Sequence, residues 1–247
     1  MDDIAELRSE TEKTPIHGVW AKGGPVYTHL SDATVNGIEA RTMASFGDAA
    51  TLGMWAFATG IWTTGLFQTG LLPQHEMVLL FPAMLVYAGI VLFIAGLFLY
   101  RRNNTFFGSS FCSFAALNIS RAVLIILQNR GVLPSDATAN ILQGCLMESF
   151  AYIALSLLIG AIRMNVVVVL VLACTFVGYL LSGLPFITTH FAQEVGAGLP
   201  QAGGWAEAGR IGGYFLFAAG FFAYYGGTAL LVNTAWRREV LPIGGQA

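Results

Sequence analysis

Six long apolar segments dominate the chain after a polar stretch of about 45 residues. Short runs of turn-forming residues separate most of these segments, which lie at about 49–71, 77–100, 106–128, 139–161, 166–187 and 210–233. Each is close to the ~20 residues that a helix needs to cross ~30 Å of hydrocarbon. All are too long for strands and lack strand alternation, so the pattern predicts an all-α polytopic membrane protein with six transmembrane helices.

The first apolar segment is rich in small and hydroxylated residues. Ala49 and Gly53 stand four apart, as do Ala56 and Gly60. This spacing leaves one helix face almost without side chains, so a neighbouring helix can approach closely inside a membrane. We therefore expect this helix to pack against others or to line a pathway rather than to face lipid.

The polar N-terminal arm covers residues 1–45. It leads into the first span through four residues that share one helical face and predict a short interfacial helix: Val35, Ile38, Thr42 and Phe46. The six-helix domain then covers residues 46–235, and residues 236–247 form a C-terminal tail.

Positive charge predicts the orientation in the membrane. The chain has twelve Lys and Arg residues. Most lie on the side shared by both termini and by the loops after the second and fourth spans: Arg8, Lys13, Lys22, Arg41, Arg101, Arg102, Arg163, Arg237 and Arg238. The opposite side has only Arg130 and Arg210. The positive-inside rule therefore places both termini in the cytoplasm. We expect the protein in the plasma membrane, which is the inner membrane if the cell is bacterial.

Composition excludes several other classes of protein. Only 11% of the residues are charged, whereas soluble domains have about 25%. The net charge of −2 argues against nucleic acid as a partner. No nucleophile–base set or phosphate-binding loop indicates an enzyme, and the cysteines lack metal-ligand spacing. The histidines, including His75 and His190, fall outside the spans, so we expect no cofactor and no metal site.

The region between the second and third spans carries a family resemblance. Tyr87-Ala88-Gly89 is followed by Ala95-Gly96 and by the heptapeptide YRRNNTF at residues 100–106. This block resembles the one that joins the second and third helices in the acetate uptake transporter (succinate–acetate permease) family. The tail VLPIG at residues 240–244 is similar to that family's C-terminal tail.

The resemblance covers about residues 46–244 and implies a function. It implies a homo-oligomeric ring, usually a hexamer, in which each protomer moves acetate or related small monocarboxylates with protons by symport. It maps the family's apolar constriction onto Phe57 and Phe114, with a third member near Thr175. From the residues alone, both phenylalanines are more typical of the core of the bundle than of a gate.

The family's signature Asn-Pro-Ala-Pro-Leu-Gly-Leu is matched only in part, by DAATLGM at residues 48–54. The two prolines are replaced by Ala49 and Thr51, and the asparagine by Asp48. A carboxylate at this cytoplasmic mouth would repel an arriving anion unless it is protonated or paired.

Two ionisable residues lie inside the hydrocarbon, which marks them as functional candidates. Arg121 in the third span and Glu148 in the fourth lie at similar depths, with Asn118 one turn from Arg121. In one interpretation they form an ion pair that fixes the register of two antiparallel helices. In the other, Arg121 holds a carboxylate and Glu148 exchanges the coupled proton, because an arginine keeps its charge whereas a carboxyl group can be protonated.

Two functions therefore stay open. The first is a transporter or channel for acetate or similar small monocarboxylates, coupled to protons. The alternative is a non-transporting subunit that packs in a larger membrane complex, its pathway closed by the Arg121–Glu148 pair. A homo-hexameric particle in detergent favours the first function, and co-purification with unrelated chains favours the second.

Overall fold

The computed structural model of the protein describes residues 48–71, 77–133, 137–194 and 203–244. Within them the fold is helical. The elements are α1 (Ala50–Gln68), α2 (Met77–Ala83), a π-helical segment (Met84–Val91), α3 (Leu92–Arg101), α4 (Thr105–Asn129), α5 (Ala137–Ala161), α6 (Val166–Glu194) and α7 (Gly203–Trp236). The first three elements after α1 follow one another without a break. The all-α prediction is confirmed for these residues. Three predictions lie outside them and stay predictions: the polar arm 1–45, the interfacial helix that follows from it and the position of His75.

Five helical stretches in the described chain are long and apolar enough to cross a membrane. They are Leu80–Arg101, Thr105–Asn129, Ile141–Ala161, Val166–Ile187 and Glu207–Trp236. The predicted first span, α1, has 19 residues and is not among them, because its threonines and glycines lower its hydropathy. Twelve of those 19 residues are nevertheless buried, so α1 lies in the middle of the helix bundle.

Two features of the helices differ from the sequence pattern. The helix α6 continues to Glu194 and α7 begins at Gly203, so both extend beyond the predicted spans, which end at 187 and begin at 210. The reason is that polar residues end an apolar pattern without ending a helix. The second feature is the π-helical segment, which follows Pro82; a proline lacks the N–H that continues a regular ladder.

Close backbone contacts hold α1, α6 and α7 together. A Cβ atom added to Gly65 of α1 would lie 2.4 Å from the backbone nitrogen of Phe217 in α7. One added to Gly212 of α7 would lie 2.8 Å from the carbonyl oxygen of Gly178 in α6. Small residues let helices approach this closely in membranes, and the glycines of the last span thus serve as packing positions.

The small-residue face of α1 receives α4 and the π-helical segment. A Cβ atom at Gly53 would overlap the ring of Phe111, and one at Gly60 would lie 2.8 Å from both Ala88 Cβ and Asn118 Nδ2. The expectation that this face packs closely against neighbours is confirmed. The amide of Asn118 also donates a hydrogen bond of 2.9 Å to the carbonyl oxygen of Ala88 in the π-helical segment.

The bundle has two ends that are used below. At the proximal end α1, α4 and α6 begin and α7 ends. At the distal end α5 and α7 begin. Consequently α1, α4 and α6 run parallel to one another, and positions an equal number of residues into them lie at similar depth.

Candidate functional site

A cavity of about 120 Å³ lies at the proximal end, and we call it the vestibule. Its lining includes Asp48, Asn104 and Asn165, which stand where α1, α4 and α6 begin. Each of these side chains accepts a hydrogen bond from a backbone N–H in the first turn of its helix. Helix N-termini carry partial positive charge, so three such ends converge on this cavity.

The carboxylate of Asp48 is paired. Its Oδ1 atom lies 3.6 Å from Nη1 of Arg102, and both side chains are partly exposed. An exposed pair of this kind adds little stability, about 0–1 kcal/mol. The pair does place a cation beside the carboxylate. This cation offsets the repulsion that an unpaired Asp48 would exert on an anion at this mouth.

A smaller apolar cavity lies next to the vestibule. Its volume is about 20 Å³, enough for a single water molecule. Met54 and Phe107 line both cavities, and Phe57, Phe111 and Val171 line the smaller one. This smaller cavity, which we call the inner cavity, therefore lies between the vestibule and the aromatic residues in the middle of the bundle.

Aromatic rings meet at mid-depth. The ring centroids of Phe57 and Phe114 are 5.0 Å apart in an edge-to-face arrangement. Phe114 also stacks on Tyr179 at 6.2 Å and contacts Phe150 at 5.9 Å. The structure thus brings together the two phenylalanines that the family resemblance singles out, and both are buried.

Thr175 is buried and donates a hydrogen bond of 2.6 Å to the carbonyl oxygen of Val171, one turn earlier in α6. Tyr179, one turn later in the same helix, is the α6 residue that stacks on Phe114. Sequence reasoning missed Tyr179. The available signal was its position four residues after Thr175, which places both on one helix face.

Arg121 lies beyond the aromatic rings. It is seven residues after Phe114, which is about 10 Å along a helix, and its side chain is only 5% exposed. Its Nη1 atom donates to Oγ1 of Thr64 at 3.3 Å. Thr64 uses its own hydroxyl proton on the carbonyl oxygen of Gly60, so its oxygen is free to accept.

The charge of Arg121 lacks a protein counter-ion among the side chains that the structure describes. Its buried Nε atom has no hydrogen-bond partner. The described carboxylates, which are Asp48, Glu148, Glu207 and Glu239, form no ion pair with it. Tyr179 is near enough to interact with it electrostatically. The guanidinium therefore retains unused donors in a buried position.

The predicted pairing of Arg121 with Glu148 is wrong. Glu148 faces α6: a Cβ atom added to Gly183 would lie 2.5 Å from its Oε1 atom, and that oxygen is buried without a partner. The physical reason is that α5 packs along α6 and touches α4 only slightly. The pair that would have closed the pathway in a non-transporting subunit is therefore not formed.

A further polar contact lies one turn distal to Arg121. Gln68 accepts a hydrogen bond from the hydroxyl of Ser182 and donates to the sulfur of Met147 at 3.7 Å. It thereby joins α1, α6 and α5 close to Glu148. Sequence reasoning missed this contact. Gln68 lies at the end of α1, where a polar residue is common and gives no sign of a contact with another helix.

Metal-ligating side chains do not cluster in the described part of the chain, where no three His, Cys, Asp or Glu residues come together. The three cysteines are free thiols.

Comparison with known proteins identifies the family. A model of the GPR1/FUN34/yaaH family matches residues 32–241. The chain belongs to this family. The match covers most of the chain and confirms the resemblance to acetate uptake transporters that the sequence motifs indicate.

The GPR1/FUN34/yaaH fold is also recognisable in three dimensions. A solved structure described as the bacterial acetate channel SatP superposes with a TM-score of 0.70 at 20% sequence identity. The alignment covers 81% of this chain and 99% of that one. No curated protein sequence is similar enough to count as a match. With its apolar helices, this member of the family is a multi-pass membrane protein.

Proposed function

We propose that the protein is a channel or transporter for acetate and similar small monocarboxylates, which it moves together with protons. Family membership and the fold shared with a protein described as an acetate channel support this proposal. The observation that carries it is the buried guanidinium of Arg121, whose Nε atom has no partner.

An anion explains why such a cation is kept in the bundle. Removing a charge from water costs several kcal/mol unless a counter-charge and hydrogen bonds compensate it. Guanidinium groups bind carboxylates through two parallel hydrogen bonds. A small carboxylate bound at Arg121, with Thr64 and Asn118 nearby, would supply that compensation.

The aromatic rings would then act as the constriction. Phe57 and Phe114 lie proximal to Arg121. Tyr179 and Thr175 of α6 would complete the constriction. A dry apolar narrowing hinders hydrated ions but admits a small acid that has lost its water or gained a proton. The route would run from the vestibule with Asp48 through the inner cavity to these rings.

Glu148 is proposed to exchange the coupled proton. It lies distal to the rings, one turn from the depth of Arg121, and is not consumed by an ion pair in the described structure. Moving one negative charge inward against the membrane potential costs about 2.3 kcal/mol per 100 mV. A proton that travels with the anion cancels this cost.

We further propose that α1 also spans the membrane, shielded from lipid by its neighbours, which brings the number of spans to six. We propose that the protein lies in the plasma membrane with both termini on the cytoplasmic side. The basic residues that flank the spans support this orientation. A homo-hexameric ring would cover part of the apolar surface around Val86, Ile90 and Phe93, which is exposed in the single chain. Side-selective labelling of single cysteines at the termini tests the orientation, and the particle mass in detergent tests the ring.

Uptake of labelled acetate into liposomes that contain the purified protein tests the function. We expect uptake above that of empty liposomes, and faster uptake when the outside is more acidic. Glu148→Gln should abolish the acceleration by the pH gradient while the protein still assembles. Glu207→Gln removes a glutamate that is exposed on α7 and is the matched control.

Uptake equal to that of empty liposomes would contradict the proposed function. If Glu148→Gln and the wild type respond equally to the pH gradient, transport stands and the proton role of Glu148 is wrong. Competition by formate and propionate, but not by dicarboxylates such as succinate, would place the substrate class among small monocarboxylates.

A further inference from the structure

The end of the chain folds back onto the bundle. Residues 240–244, which we call the strap, follow α7 and return toward its last turns. Asn233 of α7 holds the strap by three hydrogen bonds: its Nδ2 donates to the carbonyl oxygen of Leu241, and its Oδ1 accepts from the backbone nitrogens of Val240 and Leu241. These bonds are 2.8–2.9 Å long.

Two further hydrogen bonds fasten the strap at its other end. The hydroxyl of Tyr225 in α7 donates to the carbonyl oxygen of Pro242 at 2.7 Å. The backbone nitrogen of Val166, the first residue of α6, donates to the carbonyl oxygen of Gly244 at 3.1 Å. The strap therefore connects the end of α7 with the beginning of α6.

Gly244 is suited to this last contact. Its φ of +65° is in the left-handed region that favours glycine. An added Cβ atom would also lie 2.9 Å from Cγ2 of Val166. Both observations indicate that the strap binds to the start of α6 in one preferred position.

Ile243 is the strap residue that enters the pathway region. It lines the vestibule together with Asp48, Asn104 and Met54, and it packs against the apolar core. The polar atoms of the strap stay near the surface while this one aliphatic side chain points inward. Part of the vestibule lining is thus a short non-helical segment that hydrogen bonds fasten to the bundle.

We propose that the strap is a detachable cover of the vestibule and that Ile243 restricts access from the proximal end to the inner cavity. The hydrogen bonds of the strap are exposed or only partly buried. Such bonds exchange with water and each adds about 0.5–1.5 kcal/mol, so the strap can detach without disturbing the helices. The part of this inference that concerns flux depends on the proposed transport function; the part that concerns access does not.

Access is measured first, without any transport assay. The three native cysteines, Cys112, Cys145 and Cys174, are replaced by alanine. Met54→Cys then places one thiol where both cavities meet. The rate at which a polar maleimide labels this thiol in the full-length, detergent-solubilised protein reports how open the vestibule is.

Asn233→Ala should release the strap and raise the labelling rate roughly tenfold, since it removes three hydrogen bonds at once. Ile243→Ala should raise it less, because the strap stays seated and only the inward side chain is shortened. Thr228→Val is the matched control on α7: it removes a hydrogen bond from Trp55 but none of the strap's. It should leave the rate unchanged.

The acetate flux of the same variants separates this inference from the proposed function. Faster labelling with faster acetate uptake supports both. Faster labelling with unchanged uptake supports the cover and contradicts the vestibule as the transport route. Unchanged labelling in both Asn233→Ala and Ile243→Ala overturns the cover, and Ile243→Ala decides the question if Asn233→Ala fails to fold.

Discussion

Replacing Arg121 by glutamine should leave the protein at least as stable as the wild type while weakening acetate binding. The loss is one charge-assisted hydrogen bond to Thr64, and at 3.3 Å that bond is long. Such bonds contribute about 1.5–3 kcal/mol. The gain is the removal of a buried charge without a protein counter-ion, which costs several kcal/mol. The two terms leave the free energy of unfolding unchanged or raised.

Acetate binding should respond in the opposite direction. A carboxylate held by the guanidinium loses at least one charge-assisted bond of about 1.5–3 kcal/mol, and 1.4 kcal/mol corresponds to tenfold in affinity. The affinity for acetate should therefore fall about tenfold to a hundredfold. Uptake measured below saturation should fall by a similar factor.

Thermal unfolding of the detergent-solubilised protein, with and without acetate, is a suitable assay. A ligand at 100 times its dissociation constant stabilises the folded state by about 2.7 kcal/mol, so acetate should raise the melting temperature of the wild type and have much less effect on Arg121→Gln. Arg102→Gln is the control, because among the described residues Arg102 forms an ion pair with Asp48 alone, at the exposed mouth. It should change stability by less than about 1 kcal/mol.

Two results would refute this reasoning. A loss of about 3–5 kcal/mol in Arg121→Gln is the signature of a broken buried ion pair, and would show that the guanidinium has a structural counter-ion. Equal stabilisation of wild type and variant by acetate would show that the anion binds elsewhere.

Three further predictions concern the constriction and the helix packing. Replacing both Phe57 and Phe114 by alanine should admit larger carboxylates such as butyrate, at a cost of about 3–5 kcal/mol per ring; an unchanged substrate range in uptake assays would remove them from the constriction. Tyr179→Phe keeps the stacked ring and loses the hydroxyl, so the substrate range should stay constant while the KM for acetate rises. Gly65→Ala should destabilise the protein by about 1–3 kcal/mol in thermal unfolding, because its new methyl group meets backbone. Gly160→Ala, whose Cβ would find its nearest neighbour at 3.4 Å, should change stability much less.

Local sequence properties account for much of the helical architecture. The lengths of the apolar segments predicted the helices to within a few residues over most of the chain. The small-residue spacing in α1 predicted a close approach, which the contacts of Gly53 and Gly60 confirm. These features follow from the chain itself, because hydropathy and residue size act within one helix.

The cluster of aromatic rings was only half predictable. Phe57 and Phe114 could be named from the family resemblance, and they do meet. Tyr179 and Gln68 could not, because their importance depends on which neighbouring helix each one faces. The π-helical segment Met84–Val91 was equally hidden, since residue types alone do not distinguish it from a regular α-helix.

The sequence by itself determined how deep Arg121 and Glu148 lie, because depth follows from the number of residues along a helix and from its fixed rise. Only the tertiary structure decided that they do not pair. Rotation about the helix axes and the choice of neighbours depend on packing over the whole bundle: α5 lies along α6, and the carboxylate of Glu148 rests on Gly183. The guanidinium of Arg121 is thereby left with unused donors distal to the aromatic rings, which is the observation on which the proposed binding of a small anion rests.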